Sequence, residues 1–240
     1  MIEIIPAIIP ESFEDLKDKM TLVSGLTHLI QIDVCDGKFV PSKSWPYTGD
    51  RENFFRKIID ESEGFLFWES LDFEVDLMVK NPETVFEDWV RAGAKRIVFH
   101  IESSENLLPF IKEVRDKYGY YGDSIVGIEI GIALNIKTPN EEIYKFLEPN
   151  ESGRSLVDFV QFMGIRDIGY QGQYFDERVL GKIRELRQTH SDTIISIDGG
   201  VNFENVDDLV KAGVNRLVSG SAIFESDNIS EAIERMKLTI

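Results

Sequence analysis

Short apolar, β-branched runs alternate with amphipathic segments of helical period eight times along this chain. Strands are expected at 2–9, 28–34, 73–78, 96–100, 125–134, 159–163, 193–198 and 216–219. Helices are expected at 12–23, 53–61, 82–92, 107–118, 141–147, 177–189, 205–212 and 230–238. Several of these open on capping residues or proline: Ser12 with Asp15 three residues on, Asn81-Pro82, and Ser230. Strand after strand, each followed by a helix and with no break in composition, predicts an α/β protein, a single (β/α)₈ TIM barrel. Residues 1–240 match the size of one such domain. An open, doubly wound sheet is the competing fold. It calls for a glycine fingerprint after the first strand, where this chain has Pro6-Ala7-Ile8-Ile9-Pro10.

Composition narrows the function. With 43 acidic against 26 basic residues the formal charge is −17, which speaks against nucleic acid and anionic membrane, since both require a basic face. A small phosphorylated ligand remains compatible, because a few backbone amides hold one phosphate whatever the global charge. The lone Cys35 excludes an internal disulfide and fits a reducing compartment. The start lacks a basic leader, and no apolar run approaches the ~18 residues of a membrane span, so a cytoplasmic protein is expected. Segments 41–51 and 164–175 are long loops after strands two and six, where lids belong. The aromatic segment 61–71 is expected to cover the core or to meet a second copy in a homo-oligomer.

Alternate side chains of a barrel strand point inward, and those near its C-terminal end face the pocket. Ile30, Ile32 and Val34 share one face of strand two, so Gln31 and Asp33 face the lumen. By the same argument Asp76 and Met78 of strand three, and Ser196 and Asp198 of strand seven, point inward. Any one strand-end Asp can simply cap the following loop. Three carboxylates in one lumen, however, either bind a cation or retain a proton. Later in the chain Asp198-Gly199-Gly200 and Ser219-Gly220-Ser221 follow strands seven and eight, the recurrent phosphate site of barrels, and residues 169–173 are placed to close over it. His100 ends strand four facing the pocket, either as a site residue or as a satisfied core histidine. His28 and His190 are read as structural, Cys35 as a small buried thiol and Arg166 as a solvated loop charge, although it could also meet an anionic substrate.

The runs Gln31-Ile-Asp-Val-Cys-Asp-Gly-Lys-Phe-Val-Pro41, Val75-Asp-Leu-Met-Val79, Phe99-His-Ile-Glu102, Ala133-Leu-Asn-Ile-Lys-Thr-Pro139, Ile197-Asp-Gly-Gly-Val201 and Ser219-Gly-Ser-Ala-Ile-Phe224 resemble, in order and across nearly the whole chain, the ribulose-phosphate 3-epimerase family. The resemblance implies C3 epimerisation of a ketopentose phosphate in the pentose phosphate pathway, with Asp33 and Asp198 as the acid/base pair. It also implies that Gly172, Gly199, Gly200, Gly220 and Ser221 cradle the phosphate, and that Met78 and Met163 pack against the sugar.

The departures fall in the catalytic mouth. Where the family binds a divalent metal through two histidines and two aspartates, the set here reads Gln31, Asp33, Asp76 and Asp198. Ala7 stands for a serine, Cys35 for a methionine, and the sixth βα loop carries Arg166-Asp167-Ile168 for a shorter Asn-Pro. Oxygen in place of imidazole weakens a zinc site and favours Mg²⁺ or Mn²⁺, or leaves no metal at all. Another sugar-phosphate isomerase or lyase on the same barrel, or a non-catalytic phosphosugar-binding protein, are the alternatives.

Overall fold

The structure, a computed structural model, describes residues 2–49, 51–120, 122 and 127–238. Eight parallel strands follow one another around a closed barrel: β1 (Glu3–Ile8), β2 (Leu29–Cys35), β3 (Asp72–Met78), β4 (Arg96–His100), β5 (Glu129–Leu134), β6 (Phe159–Met163), β7 (Ile194–Asp198) and β8 (Arg216–Ser219). Pairing of β1 with β8, from Glu3 opposite Arg216 to Pro6 opposite Ser219, closes the ring and excludes the open sheet. Around it run α1 (Phe13–Val23), α2 (Arg51–Ile59), α3 (Phe86–Arg91), α4 (Leu107–Tyr118), α5 (Glu141–Leu147), α6 (Arg178–Thr189) and α7 (Val206–Ala212), then the short α8 (Ser221–Phe224) and α9 (Ile229–Leu238).

Strand and helix positions agree with the sequence reading to within a few residues, and the exceptions have local causes. The expected strand start at 125–126 lies outside the described residues, and β5 begins at Glu129. The helix expected at 82–92 is broken: a 3₁₀ turn over Pro82–Thr84 ends at Val85, whose φ of −124° is not helical, and α3 starts after it. Asn81 does not cap that turn with its side chain, because its own backbone is left-handed at φ 54°. Ser12 does cap α1, accepting from the Asp15 amide at 3.1 Å. At the last helix the role passes from Ser230 to Asn228, whose side chain accepts from the Glu231 amide. In the aromatic segment before β3, Phe65 is buried and stacks on Phe73 at 4.1 Å, whereas Trp68 is 71% exposed.

Two cores result from the period-two alternation. Outward residues such as Ile30, Ile32, Val75, Leu77, Ile195 and Ile197 pack against the helices, for example Leu16 and Met20 of α1 and Ile183 and Leu186 of α6. The lumen is polar at its N-terminal end. Register places Glu74, Arg96 and Glu129 side by side on β3, β4 and β5, and Glu3 beside Arg216 on β1 and β8. Glu129 bridges both guanidiniums, at 2.7 Å to Arg96 and 2.5 Å to Arg216, and Glu3 contacts both near 3.1–3.2 Å. Phe159 crosses the lumen next to this plug, with Arg216 4.6 Å from its ring centre. Position 131 must be glycine to admit that ring: a Cβ there would lie 2.4 Å from it.

The plug holds three carboxylates and two guanidiniums, and the most deeply buried acid is the least well paired. Glu74 reaches only Arg96, at 3.4 Å, and its Oε1 has no partner. Burial pushes its carboxyl up to about 8, against the opposing pull of Arg96 and Arg216. An acid whose folded pKa exceeds its unfolded one binds a proton on folding, so its contribution to stability falls as pH rises through that interval. Between pH 5 and pH 8, Glu74→Gln should therefore flatten the decline in urea midpoint relative to wild type. Parallel pH profiles for the two proteins would show that Glu74 is ionised throughout.

Candidate active site

The C-terminal ends of β2, β3 and β7 bring Asp33, Asp76 and Asp198 together, with one carboxylate oxygen of each within 4.8 Å of the others. All three are buried, Asp76 completely. Gln31, also completely buried, lies beneath them and joins two of them: its Nε2 donates to Asp33 Oδ1 at 2.7 Å and to Asp198 Oδ2 at 2.9 Å. The other end of that amide, Oε1, is buried with no partner. Asp76 is held by side chains of β4 and β6. His100 Nε2 lies 2.9 Å from its Oδ1, Gln161 Nε2 donates to its Oδ2 at 3.3 Å, and Ser196 donates to Gln161 in turn.

This crowding changes the acidity of the groups. Burial, then the charges of Asp198 and Asp76, hold Asp33 well above the usual carboxylate range. Asp198 is pushed up to about 7, by burial first and by Asp76 next, while hydrogen bonds from Gln31 and the Gly199 amide pull the other way. Burial disfavours the His100 cation, yet the adjoining Asp76 carboxylate outweighs it and His100 stands above its ordinary value. Crowding and burial together favour the protonated form of these carboxyls more than water does.

A cleft opens above the aspartates. Asp33, Asp198, Met78 and Met163 line its inner end, and Gly172, Gly199, Gly200, Gly220 and Ser221 line the other. Gly199 and Gly200 have φ of 94° and 72°, the left-handed region that glycine adopts without strain. A Cβ on Gly200 would lie 2.8 Å from Phe175 Cα, so the loop after β6 can lie against this turn only because position 200 is bare. Ser221 opens α8, whose first amides have no partner inside so short a helix.

Every residue singled out for the site is thus at the mouth, with Gln31 and Asp76 just below the cleft. Arg166 lines an adjoining groove with Lys137 and Asp167, and Tyr170 and Gln173 border both that groove and the cleft. His190 sits beside Tyr144 at 5.0 Å, away from the mouth. Gln161 is a site residue that the sequence reading misses, although Val160 and Phe162, both in the outer core, flank it and mark it as inward-facing.

Comparison with known proteins decides the family. The profile of the ribulose-phosphate 3 epimerase family matches residues 3–224. The chain belongs to that family. It is 28% identical to ribulose-phosphate 3-epimerase of Bacillus subtilis, over 99% of both chains. To the Synechocystis enzyme of the same name it is 30% identical, over 97% of this chain and 91% of the relative. Among solved structures, a ligand complex of KGPDC from Streptococcus mutans superposes with a TM-score of 0.70 at 14% identity, covering 99% of this chain and 96% of that one. The 3-hexulose-6-phosphate synthase of Salmonella typhimurium gives 0.66 at 11%, covering 99% and 98%. At such identities these two show a shared barrel. Among the described residues no helix is long and apolar enough to cross a membrane.

Cys35 ends β2 next to this site and is wholly buried. Burial pushes its thiol up to about 12, so the nucleophilic thiolate is scarce at neutral pH. A thiol reagent at pH 8 should modify it far more slowly in the native protein than in urea. Rapid stoichiometric modification of native protein would contradict this.

Proposed function

We propose that this member of the family interconverts a ketopentose phosphate and its C3 epimer, with residues 1–240 acting as one barrel domain in the reducing cytoplasm. The observation that carries the reading is the pairing of Asp33 and Asp198, from strands far apart around the barrel, at the inner end of a cleft whose outer end is lined by glycines. One carboxylate removes the C3 proton, the electrons move into the carbonyl to give an enediolate, and the other group, as acid, returns a proton to the opposite face. Gln31 keeps the two carboxyls oriented through its bridging amide. The cradle of Gly172, Gly199, Gly200, Gly220 and Ser221 supplies backbone amides to the phosphate, and Met78 and Met163 pack against the sugar carbons.

The donor set fits a hard cation. Asp33, Asp76 and Asp198 offer closely spaced oxygens, and Gln31 Oε1, a buried acceptor without a partner, would join them once the amide turned over from donating its Nε2 to Asp33 and Asp198. Such an all-oxygen set suits Mg²⁺ or Mn²⁺ better than Zn²⁺. A bound cation would act as Lewis acid toward the substrate oxygens. Protein purified without added metal should hold well under one zinc per chain by elemental analysis, and Gln31→His combined with Asp76→His should raise that content. One tightly held zinc per wild-type chain would overturn the argument from ligand hardness.

The replaced imidazoles favour one second reading, a phosphosugar-binding protein without turnover. Exchange of the C3 proton into deuterated solvent, followed by NMR, separates the two. Wild type should exchange ketopentose phosphate, and Asp33→Asn and Asp198→Asn should each slow exchange roughly 10²–10⁴-fold, the scale of a positioned acid or base. Exchange at the wild-type rate in both variants would defeat the two-aspartate assignment. No exchange of any ketose phosphate by wild type would leave the binding protein.

A further inference from the structure

The loop after β6 carries one polar side chain across the mouth. Gln171 lines the cleft that the glycine turn at 220 and the aspartates also line, and its Nε2 donates to the carbonyl of Ala7 on β1 at 3.2 Å. Two small residues make that reach feasible. A Cβ on Gly220 would lie 2.7 Å from Gln171 Nε2 and 3.1 Å from Ala7 O. Gly220 has a negative φ of −99°, so close approach of the Gln171 amide, and not backbone conformation, is what requires glycine there. On β1 itself the inward side chain at this level is the methyl of Ala7, which offers no hydroxyl to a ligand.

The segment is packed down on the N-terminal side of Gln171. Gly169, at φ 86°, packs against the loop after β2, where a Cβ would lie 2.5 Å from Ser42 Oγ. Gly172 is left-handed at φ 70°. Between these turns the Gln171 amide spends one N–H on Ala7, its one hydrogen bond among the described residues. Its second N–H and its carbonyl oxygen remain to meet a ligand. A sugar hydroxyl both donates and accepts, and a primary amide with one N–H and its C=O free matches it.

We propose that Gln171 is a substrate-contacting specificity residue that reads the hydroxyl on the carbon between the phosphate-bearing carbon and the reacting one, which is C4 of a ketopentose 5-phosphate. This rests on the phosphosugar reading above. The phosphate at the glycine end and C3 at the aspartates leave C4 beneath the strap that Gln171 forms.

Calorimetric binding at equilibrium tests this without requiring turnover. The ligands are a ketopentose 5-phosphate, its 4-deoxy analogue and inorganic phosphate, titrated into wild type, Gln171→Ala and Gln171→Asn. Wild type should bind the 4-deoxy analogue about fivefold to tenfold more weakly than the parent sugar, the scale of one hydrogen bond. Gln171→Ala should weaken the parent sugar by a similar factor, bind inorganic phosphate as wild type does, and lose the discrimination. The shorter amide of Gln171→Asn, unable to span to Ala7, should lose it too. Undiminished discrimination in Gln171→Ala would overturn the assignment while leaving the phosphosugar reading intact. A wild type that binds inorganic phosphate but no ketopentose phosphate would overturn both.

Discussion

Closing the sheet between β1 and β8 removes every edge and leaves a lumen from which water is largely excluded. Each polar side chain that period-two alternation turns inward must then find its partner inside the ring, because an unpaired buried polar group is costly. The inward positions of this barrel are unusually charged. Its N-terminal end answers with reciprocal pairs among Glu3, Arg96, Glu129 and Arg216, and its C-terminal end with amide and imidazole donors set against aspartates. Phe159, with Gly131 yielding it space, lies next to the lower cluster in the lumen.

The two ends resolve the same electrostatic problem with different outcomes. At the lower end guanidiniums, always charged, meet all three acids, and burial drives the poorly paired Glu74 toward its neutral form. At the mouth no arginine or lysine among the described residues is hydrogen-bonded or ion-paired to the three aspartates. Gln31 supplies donors but no charge, so burial first, and the neighbouring carboxylates next, raise Asp33 and Asp198. The lower cluster is held by ion pairs, whereas the carboxyls of the mouth are raised by burial and by one another. The fold places the first at the N-terminal end of the lumen and the second beneath an open cleft.

Much of this arrangement is legible along the chain. Ile30, Ile32 and Val34 alternate with Gln31 and Asp33 strictly enough to assign the lumen face of β2, and β3 and β7 repeat the pattern. Glycines after β7 and β8 point to the cleft's outer end. The expectations that needed correction depend on backbone detail: Asn81 enters the left-handed region, Val85 interrupts a helix, and Asn228 displaces Ser230 as a cap. Gln161 escapes a reading of the sequence because a lone inward amide is chemically silent until the residue it holds, Asp76, is seen across the barrel.

Local alternation and turn chemistry, both properties of neighbouring residues, determined from the sequence alone that the chain forms a barrel and which side chains enter it. Which of those side chains touch was decided by closure. His100 meets Asp76 from the next strand, Gln31 spans from β2 to β7, and Gln171 reaches back over 164 residues to Ala7 through space that only Gly220 leaves open. Such contacts follow from register, strand stagger and loop path around the whole ring, which no local stretch of sequence encodes.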